Sequence, residues 1–438
     1  MFKAYCGVEG TLMMNRDLHI ASSDEENLTF EKGSGDLTRL TTQGWNILTE
    51  EVSLPIAVLR QKDILHNAQW MQSFSEHAHV KLAPHGKTSM APELFKLQLN
   101  SGCWGMSLAT IPQVINAYQH GLKRVILANQ LIGKFHCQQL LPLLKDDEFE
   151  FYCFVDSIEN VQWLGHSFAD KNVTLKLLIE IGVEGGRCGW RDLTNIDQLV
   201  DTIAHYPQLQ LAGISFYEGV IHGDKATNKI VEFIENIKQL FIQLQQKNAF
   251  HQQEVIITGA GSAWYDIVAK QLTTNTQHLN FTPVIRPGCY LIHDTGIYQD
   301  AQDSVIDRSQ LACDIRDKNG GDLTSSLTVW AYVHSVPEKG LAIIGLGKRD
   351  AAFDAGLPTP ELHFRPGQTS PKSSPQHWQV TKIMDQHCMM EIAENDDIKP
   401  GDMMCFSTSH PCLTLDKWRK IAIVDDNYRV TQQIATYF

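Results

Sequence analysis

One lysine and one close pair of residues carry the most distinctive chemistry in this chain. Lys87 lies in Pro84-His85-Gly86-Lys87-Thr88, directly after the apolar run of residues 80–83. Pro84 and Gly86 end a strand there, and the helical pattern of residues 92–99 comes next. The lysine therefore falls just past the carboxyl end of a strand, where α/β proteins gather reactive side chains. A partly desolvated amine in such a place loses its proton near neutrality and attacks a carbonyl to form a Schiff base. A solvated surface charge is the plainer role for a lysine. A phosphate loop of the G-x-x-x-x-G-K-[ST] type is excluded, because the position that needs its first glycine is Lys81.

The pair is His410 and Cys412, in Ser409-His410-Pro411-Cys412. Pro411 favours extended backbone, and on a strand residues two apart share a face. An imidazole beside a thiolate suits zinc, with the other positions left to water or substrate. Two protein ligands are one fewer than a catalytic zinc site usually has, and an exposed His beside a buried Cys is the commoner occurrence.

The elements that must position these groups are regular. Strand-like runs cover residues 80–83, 103–109, 124–128, 150–155, 173–181, 209–217, 254–258 and 282–285. Helical patterns succeed the first seven, over 92–99, 110–120, 133–144, onward from a cap at Asp156 or Ser157, 193–205, 227–247 and 264–271. An amphipathic helix over 61–77 leads in. This α/β alternation predicts a parallel sheet closed as a (β/α)8 barrel. An open doubly wound sheet is the alternative, weakened by the lack of G-x-G-x-x-G after the first strand.

Beyond residue 310 the texture changes to strands at 325–333, 340–344, 376–384 and 403–407, with the proline-rich stretch 356–375 reading as an extended loop. The predicted organisation is an N-terminal segment 1–50 packing on the β domain, a barrel over 51–305, and a C-terminal all-β domain over 306–438 with the metal pair. Residues 38–49 could form a helix within the first segment.

Taken in order, the strand ends form a rim. After Lys87 come the glycine-rich loop 182–189 with Arg187, then Tyr217-Glu218-Gly219, Gly259-Ala260-Gly261-Ser262 and Arg286-Pro287-Gly288-Cys289-Tyr290. Gly259 to Ser262 has the makings of a phosphate seat, since glycines let backbone N–H groups approach an anion and Ser262 adds a hydroxyl. A tight strand-to-helix turn would look the same. An amine, a phosphate seat and a guanidinium on one rim suit pyridoxal phosphate, whose aldehyde needs a lysine and whose phosphate needs an anchor.

Composition limits the partners. The 438 residues are 43% hydrophobic and 20% charged, with a formal charge of −13, which opposes nucleic acid or an anionic membrane as main partner. Ten cysteines without a C-x-x-C pair imply reduced thiols and a cytoplasmic protein acting on a small molecule. The N-terminus has no apolar leader, and the run 341–346 is only strand length.

Pro84-His85-Gly86-Lys87-Thr88, Gly186-Arg187-Cys188-Gly189, Tyr217-Glu218-Gly219, Arg286-Pro287-Gly288-Cys289-Tyr290 and His410-Pro411-Cys412 together resemble the D-serine dehydratase / D-threonine aldolase group. These are alanine-racemase-like, fold-type III pyridoxal phosphate enzymes, and the likeness, over residues 50–438, is to the bacterial amino acid deaminase (D-serine deaminase-like) branch. The resemblance implies Lys87 as the Schiff-base lysine, with Gly259, Gly261, Ser262, Gly288 and Tyr290 around the phosphate. It implies Arg187 at the ring hydroxyl, Tyr217 beside the ring, and zinc or another divalent metal on His410 and Cys412. His387, in Asp385-Gln386-His387, would stand behind the metal. It also implies a homodimer with the site near the interface. The expected activity is dehydration of D-serine to pyruvate and ammonia, with Lys87 also taking the α-proton. D-threonine aldolase-type cleavage is the alternative, although those aldolases resemble this chain with a carboxylate in place of Cys412. An amino-acid racemase would need a second base, for which no tyrosine stands out, and a non-catalytic cofactor carrier would resemble the barrel alone. The phosphate loop departs from the usual paired glycines by reading Gly-Ala-Gly-Ser.

Overall fold

A computed structural model describes residues 31–35, 44–251 and 254–438. The chain enters through β1 (Ile56–Arg60) and α1 (Gln61–His77), which buries Ile64, Ala68, Met71 and Phe74 along one face. The barrel then runs β2 (Lys81–Leu82), α2 (Pro92–Asn100), β3 (Met106–Leu108), α3 (Ile111–Gln119), β4 (Arg124–Gln130), α4 (Lys134–Leu140), β5 (Glu150–Val155) and α5 (Ile158–Phe168). It continues through β6 (Leu175–Ile181), α6 (Ile196–Ala204), β7 (Leu209–Phe216), α7 (Ala226–Gln246), β8 (Ile256–Gly259), α8 (Tyr265–Thr273) and β9 (Thr282–Ile285). Local sequence sets these limits. Pro92 starts α2 where a missing N–H costs nothing, and Ser157 caps α5 by accepting from Asn160 N–H at 3.2 Å.

The eight parallel strands β2 to β9 pair in sequence order, and β9 returns to β2 through Leu82↔Ile285. The seam between β2 and β3 is closed by Trp104 N–H on Leu82 O and Ser107 N–H on Pro84 O, both 2.8 Å. Ala83, Ile126, Tyr152, Phe154, Leu178, Ala212, Ile256 and Val284 fill the interior, as the core of such a barrel requires. The eight-stranded barrel expected from the alternation is the observed one.

Two helices, α9 (Ile297–Arg308) and α10 (Gln310–Asn319), link it to the second domain. That domain comprises β10 (Leu327–Glu338), β11 (Leu341–Ile344), β12 (Thr359–Phe364), β13 (Lys372–Ser373), β14 (Gln379–Ile383), β15 (Cys388–Glu391) and β16 (Met403–Ser407). It ends with α11 (Pro411–Leu415), β17 (Lys420–Val424) and β18 (Val430–Ala435), and is mostly β. The main sheet order is β13-β12-β16-β10-β1-β17-β18, with β11, β15 and β14 splaying from β10. Among the described residues no helix is long and apolar enough to cross a membrane.

Several expectations are corrected. Strand β1, which the boundary at residue 51 assigns to the barrel, lies in the second sheet, antiparallel to β10 and parallel to β17. A short apolar run does not reveal which sheet will take it. The boundary at 305 falls inside α9. The stretch 356–375 holds β12 and β13, because prolines at 358 and 360 are tolerated beside an edge while β12 pairs with β16. Most of the helix expected at 38–49 lies outside the described residues, and its described part, 44–49, is bridge and turn. There, Trp45 and Ile47 join Val58, Trp330, Phe364 and Met403 in a core of the β domain.

Asn67 on α1 ties the domains together: its Nδ2 donates to Leu291 O and Thr324 O, and its Oδ1 accepts from Thr324 N–H. At the opposite, amino end of the barrel, Glu150 accepts from the Tyr152 hydroxyl at 2.6 Å and the Lys176 ammonium at 2.7 Å, and pairs with Arg124. Burial alone would raise this carboxyl, but Lys176, Tyr152 and Arg124 outweigh it and hold it at about 2. A carboxylate depressed in the folded state stabilises the fold above its unfolded value of 4.5, and that contribution is lost as pH falls toward 2. Glu150→Gln should therefore lower the melting temperature at pH 7 and flatten its decline under acid. Circular dichroism melts across that range check this, and an unaltered acid slope would remove Glu150 from the account.

Candidate active site

A cavity of about 470 Å³ opens at the carboxyl ends of the barrel strands, within the usual size for a small-molecule site. Lys87, Arg187, Tyr217, Gly261, Ser262, Gly288, His410 and Cys412 all line it. Lys87 sits on a 3-10 turn, Gly86–Thr88, that comes after β2 and is held by His85 Nδ1 accepting the Lys87 N–H at 3.4 Å. Burial, together with the charges of Lys87, Arg286 and Arg187, keeps the His85 imidazole well below its ordinary value and hence neutral, as that bond requires.

The β domain supplies the cavity's other wall. His410 is the residue before α11 and Cys412 lies in its first turn. The expectation of a strand with both side chains on one face is thus corrected. Proline is a favourable first residue of a helix, so Pro411 starts one here. The two groups still converge, and each is drawn toward its charged form. Hydrogen bonding to Cys412 raises the His410 imidazole to about 9 against the effect of burial, with Asp354 adding to it. Hydrogen bonding from Cys289 pulls the Cys412 thiol down, with help from His410 and Thr88. Asp354 Oδ2 lies 2.7 Å from His410 Nδ1, which leaves Nε2 as the nitrogen for Cys412 or for a ligand the two would share. Cys412 Sγ lies 3.4 Å from Thr88 Oγ1 and 3.5 Å from Cys289 Sγ.

Bonds between the domains set this register. Thr295, on the loop after β9, donates its hydroxyl to Ser407 Oγ at 2.7 Å, and Tyr437 N–H reaches Met90 O at 2.9 Å. Ser409 Oγ donates to Gly356 O at 2.7 Å, fixing the approach to His410.

The loop after β8 is shaped by Glu218, a residue whose motif gave it no role of its own. Fully buried, it accepts from Ala260 N–H at 3.0 Å and Gly261 N–H at 2.8 Å. It thereby holds Ala260 at φ +72°, a conformation a non-glycine residue adopts only when its surroundings enforce it. Those two amides are therefore occupied, and the donors left facing the cavity centre on Ser262. Its Oγ already accepts from Cys289 N–H at 3.3 Å, so its own proton is free to be given. Gly288 closes the seat, since a Cβ there would come within 2.7 Å of His85 O.

Three sequence-predicted positions are placed differently. Gly259 ends β8 in the core, where a Cβ would meet the Phe216 ring at 2.3 Å, so packing and not anion contact requires its glycine. The Tyr290 side chain points away from the cavity, its hydroxyl accepting from Gln98 Nε2 at 3.0 Å. His387 is an exposed residue between β14 and β15, with its ring 5.8 Å from that of His334, and does not reach His410. Its neighbourhood in sequence carried no information about distance in the fold.

Other cavity groups were not singled out by sequence: Arg286, Cys289 and Tyr298, with Asp354 behind His410. The first two stand in a motif that marks a strand end and so were visible, whereas Asp354 and Tyr298 had no signal. Tyr298 brings a phenol into the cavity, where burial and the adjacent Cys289 and Cys412 push its ionisation up. Among the described residues, the one group of three metal-capable side chains with all ligand atoms within 4.8 Å is Asp156, Glu180 and Cys188. Its oxygens are engaged, Asp156 by Gly189 N–H and Glu180 by Gln130 Nε2.

These residues fit pyridoxal phosphate. Arg286, buried in the cavity wall, has an Nε donor with no partner, as expected of a group awaiting an acceptor. The Arg187 guanidinium stacks 4.5 Å over the Tyr217 ring, giving a cationic and aromatic flank. A lysine amine, a hydroxyl seat and a guanidinium with one donor unspent on one barrel rim, roofed by a β domain, define the barrel-plus-β class of pyridoxal phosphate enzyme. Comparison with known proteins agrees. The family described as Alanine racemase, N-terminal domain matches residues 59–292, more than half the chain, and Putative serine dehydratase domain matches residues 326–424. The chain belongs to the alanine-racemase-like family, with a domain of the serine dehydratase type following its barrel.

D-threonine aldolase from Arthrobacter sp is 21% identical over 381 residues, covering 86% of this chain and 90% of the relative. Among solved structures, D-threonine aldolase from Filomicrobium marinum superposes with a TM-score of 0.72 at 18% identity, over 90% of this chain and 97% of that one. D-threo-3-hydroxyaspartate dehydratase from Delftia sp. HT23 gives 0.66 at 17%, over 90% and 99%. D-threo-3-hydroxyaspartate dehydratase is also found among the similar structures as a histidine-to-alanine variant and as a cysteine-to-alanine variant in the metal-free form.

The role of Glu218 is testable. Glu218→Gln keeps one acceptor oxygen for two buried amides, and an orphaned amide costs about 1–3 kcal/mol. Part of that cost should appear as a loosened seat, with cofactor affinity falling roughly tenfold for each 1.4 kcal/mol. Cofactor retained through dialysis, tracked by its visible absorbance, is the measurement, and undiminished retention counts against the role.

Proposed function

We propose that the protein is a pyridoxal phosphate- and zinc-dependent lyase of D-β-hydroxy amino acids, with elimination of water from D-serine as its reaction. The observation that carries this reading is the meeting of the two domains. Cys412 touches Thr88, the residue after Lys87, so the amine and the imidazole–thiol pair face one cavity.

When bound, pyridoxal phosphate supplies an electron sink that acidifies the substrate's Cα–H, and zinc supplies a Lewis acid for the departing oxygen. Lys87 would carry the cofactor on its Nζ and, once displaced by the substrate amine, accept the α-proton on that same nitrogen. Ser262 and the backbone at Gly288 would anchor the phosphate, with Gly261 lining the seat while its N–H stays on Glu218, Arg187 at the ring hydroxyl, Tyr217 along the ring and Arg286 supplying its unpartnered N–H. His410 and Cys412 would hold the metal, with Asp354 fixing the imidazole so that Nε2 faces it. Loss of water yields a product that hydrolyses to pyruvate and ammonia.

The dehydratase relative supports elimination, since its cysteine variant is described in a metal-free form and this chain presents a thiol at the metal pair. Two aldolase relatives support retro-aldol cleavage by the same residues. A homodimer covering the cavity mouth completes the reading, because Leu413 and Phe438 line the cavity yet stay 39% and 51% exposed.

Incubation with D-serine, D-threonine, D-3-hydroxyaspartate and their L forms separates the chemistries. Elimination gives a 2-oxo acid and ammonia, whereas cleavage gives glycine or its analogue and an aldehyde. Activity on D-serine should vanish on chelation and return with zinc. Lys87→Ala should lose the absorbance of the lysine-bound cofactor. Cys412→Ala should keep that absorbance and lose turnover by about 10²-fold or more. Normal elimination by Cys412→Ala would end the metal assignment.

A further inference from the structure

We propose that Cys289 and Cys412 form a covalent modification site, a dithiol that a two-electron oxidant of the peroxide class closes into a disulfide inside the cavity. The two sulfurs lie 3.5 Å apart although 123 residues separate them in sequence. A disulfide needs about 2.05 Å, so a closure of roughly 1.5 Å, within reach of side-chain rotation, completes the bond. Both side chains line the cavity, which admits small solutes. Cys412 is partly exposed and Cys289 is 4% exposed, so the oxidant meets Cys412 first.

The chemistry balances with hydrogen peroxide. The Cys412 sulfur attacks one peroxide oxygen, the O–O bond breaks, and water leaves a sulfenic acid on Cys412. The Cys289 sulfur then attacks Cys412, the S–S bond forms, and the hydroxyl departs as a second water with the Cys289 proton. Two thiols have lost two electrons and the peroxide has gained them. A dithiol reductant reverses the change. Thr88, with its Oγ1 3.4 Å from one sulfur and 3.6 Å from the other, lies against both partners.

The consequence for metal binding rests on the proposed function, whereas the disulfide itself does not. A sulfur in a disulfide cannot serve as a thiolate ligand, so metal and disulfide are exclusive occupants of Cys412. Lys87, Ser262 and Arg286 take no part, and the oxidised protein keeps its cofactor while losing the metal.

The test uses the purified holoenzyme and a few equivalents of hydrogen peroxide. The expected result is loss of two titratable thiols, a cross-link between the peptides containing residues 289 and 412 by non-reducing mass spectrometry, and release of metal to a chromogenic chelator. Visible cofactor absorbance should persist, and dithiothreitol should undo the cross-link. In Cys289→Ser the cross-link should be absent, and Cys412 should proceed to sulfinic acid that dithiothreitol does not reverse. Oxidation of Cys412 in the native chain to sulfinic acid or a mixed disulfide, with residue 289 still a free thiol, overturns the proposal. Added zinc should slow the cross-link at least tenfold. A cross-link formed equally fast with zinc sustains the dithiol and refutes the metal assignment instead.

Discussion

The structure depends on one contact between domains, the seating of the His410–Cys412 turn against the turn that carries Lys87. Cys412 reaches Thr88 at 3.4 Å, and everything chemically distinctive about the cavity stems from it. The barrel alone could hold a cofactor through Lys87, Ser262 and Arg286, and the β domain alone would present an imidazole and a thiol to solvent. The hydrogen bonds of Asn67, Thr295 and Tyr437 across the boundary therefore matter more to function than their individual strengths imply, because each fixes the register of two surfaces that must agree within ångströms. This also accounts for β1. A strand that precedes the barrel in sequence but lies in the second sheet makes the β domain a partner the barrel cannot swing away from freely.

Electrostatics inside the cavity has the same divided origin. On the barrel side, burial keeps His85 neutral and leaves Arg286 with a donor unspent, so the environment is cationic and short of acceptors. An anionic, acceptor-rich cofactor is what such a wall needs to become satisfied. Glu218 is the exception that makes the wall workable. Its carboxylate takes two amides that would otherwise compete for the ligand, and in doing so sets where the loop turns. On the β side, His410 is drawn toward its charged form by Cys412 and Asp354, and Cys412 toward its own by Cys289 first and then by His410.

The barrel was legible in the sequence because its signal is repeated. Eight apolar runs separated by amphipathic helices leave little freedom in topology, and strands buried on both faces announce a parallel sheet. Lys87 was legible for a local reason, since the proline and glycine before it mark a strand end. The β domain is harder to read. Its strand β12 contains proline, β17 and β18 fall outside the runs that read as strand, and α11 resembles one because Pro411 is compatible with both extended backbone and a helix start. Asp354 and Tyr298 could not have been found by spacing. Each reaches the cavity through tertiary packing, from a loop and from a helix that bore no motif. Tyr290 and His387 show the converse, residues inside plausible motifs whose side chains the fold sends elsewhere.

The division between domains also bears on how one barrel can serve different reactions. A lysine on a cofactor-bearing rim can serve more than one reaction, and which bond of the substrate breaks depends on the groups that face its β-carbon. In the proposed reading those groups come from the start of α11, a helix of one turn that begins after a strand end and is anchored through Ser409 to Gly356 and through Thr414 to Ala352. Exchanging the residues of so short a segment leaves barrel, sheet and cofactor seat untouched. The turn that carries His410 and Cys412 is therefore where a change of leaving group would cost the fold least, and the contact with Thr88 is where such a change would be felt.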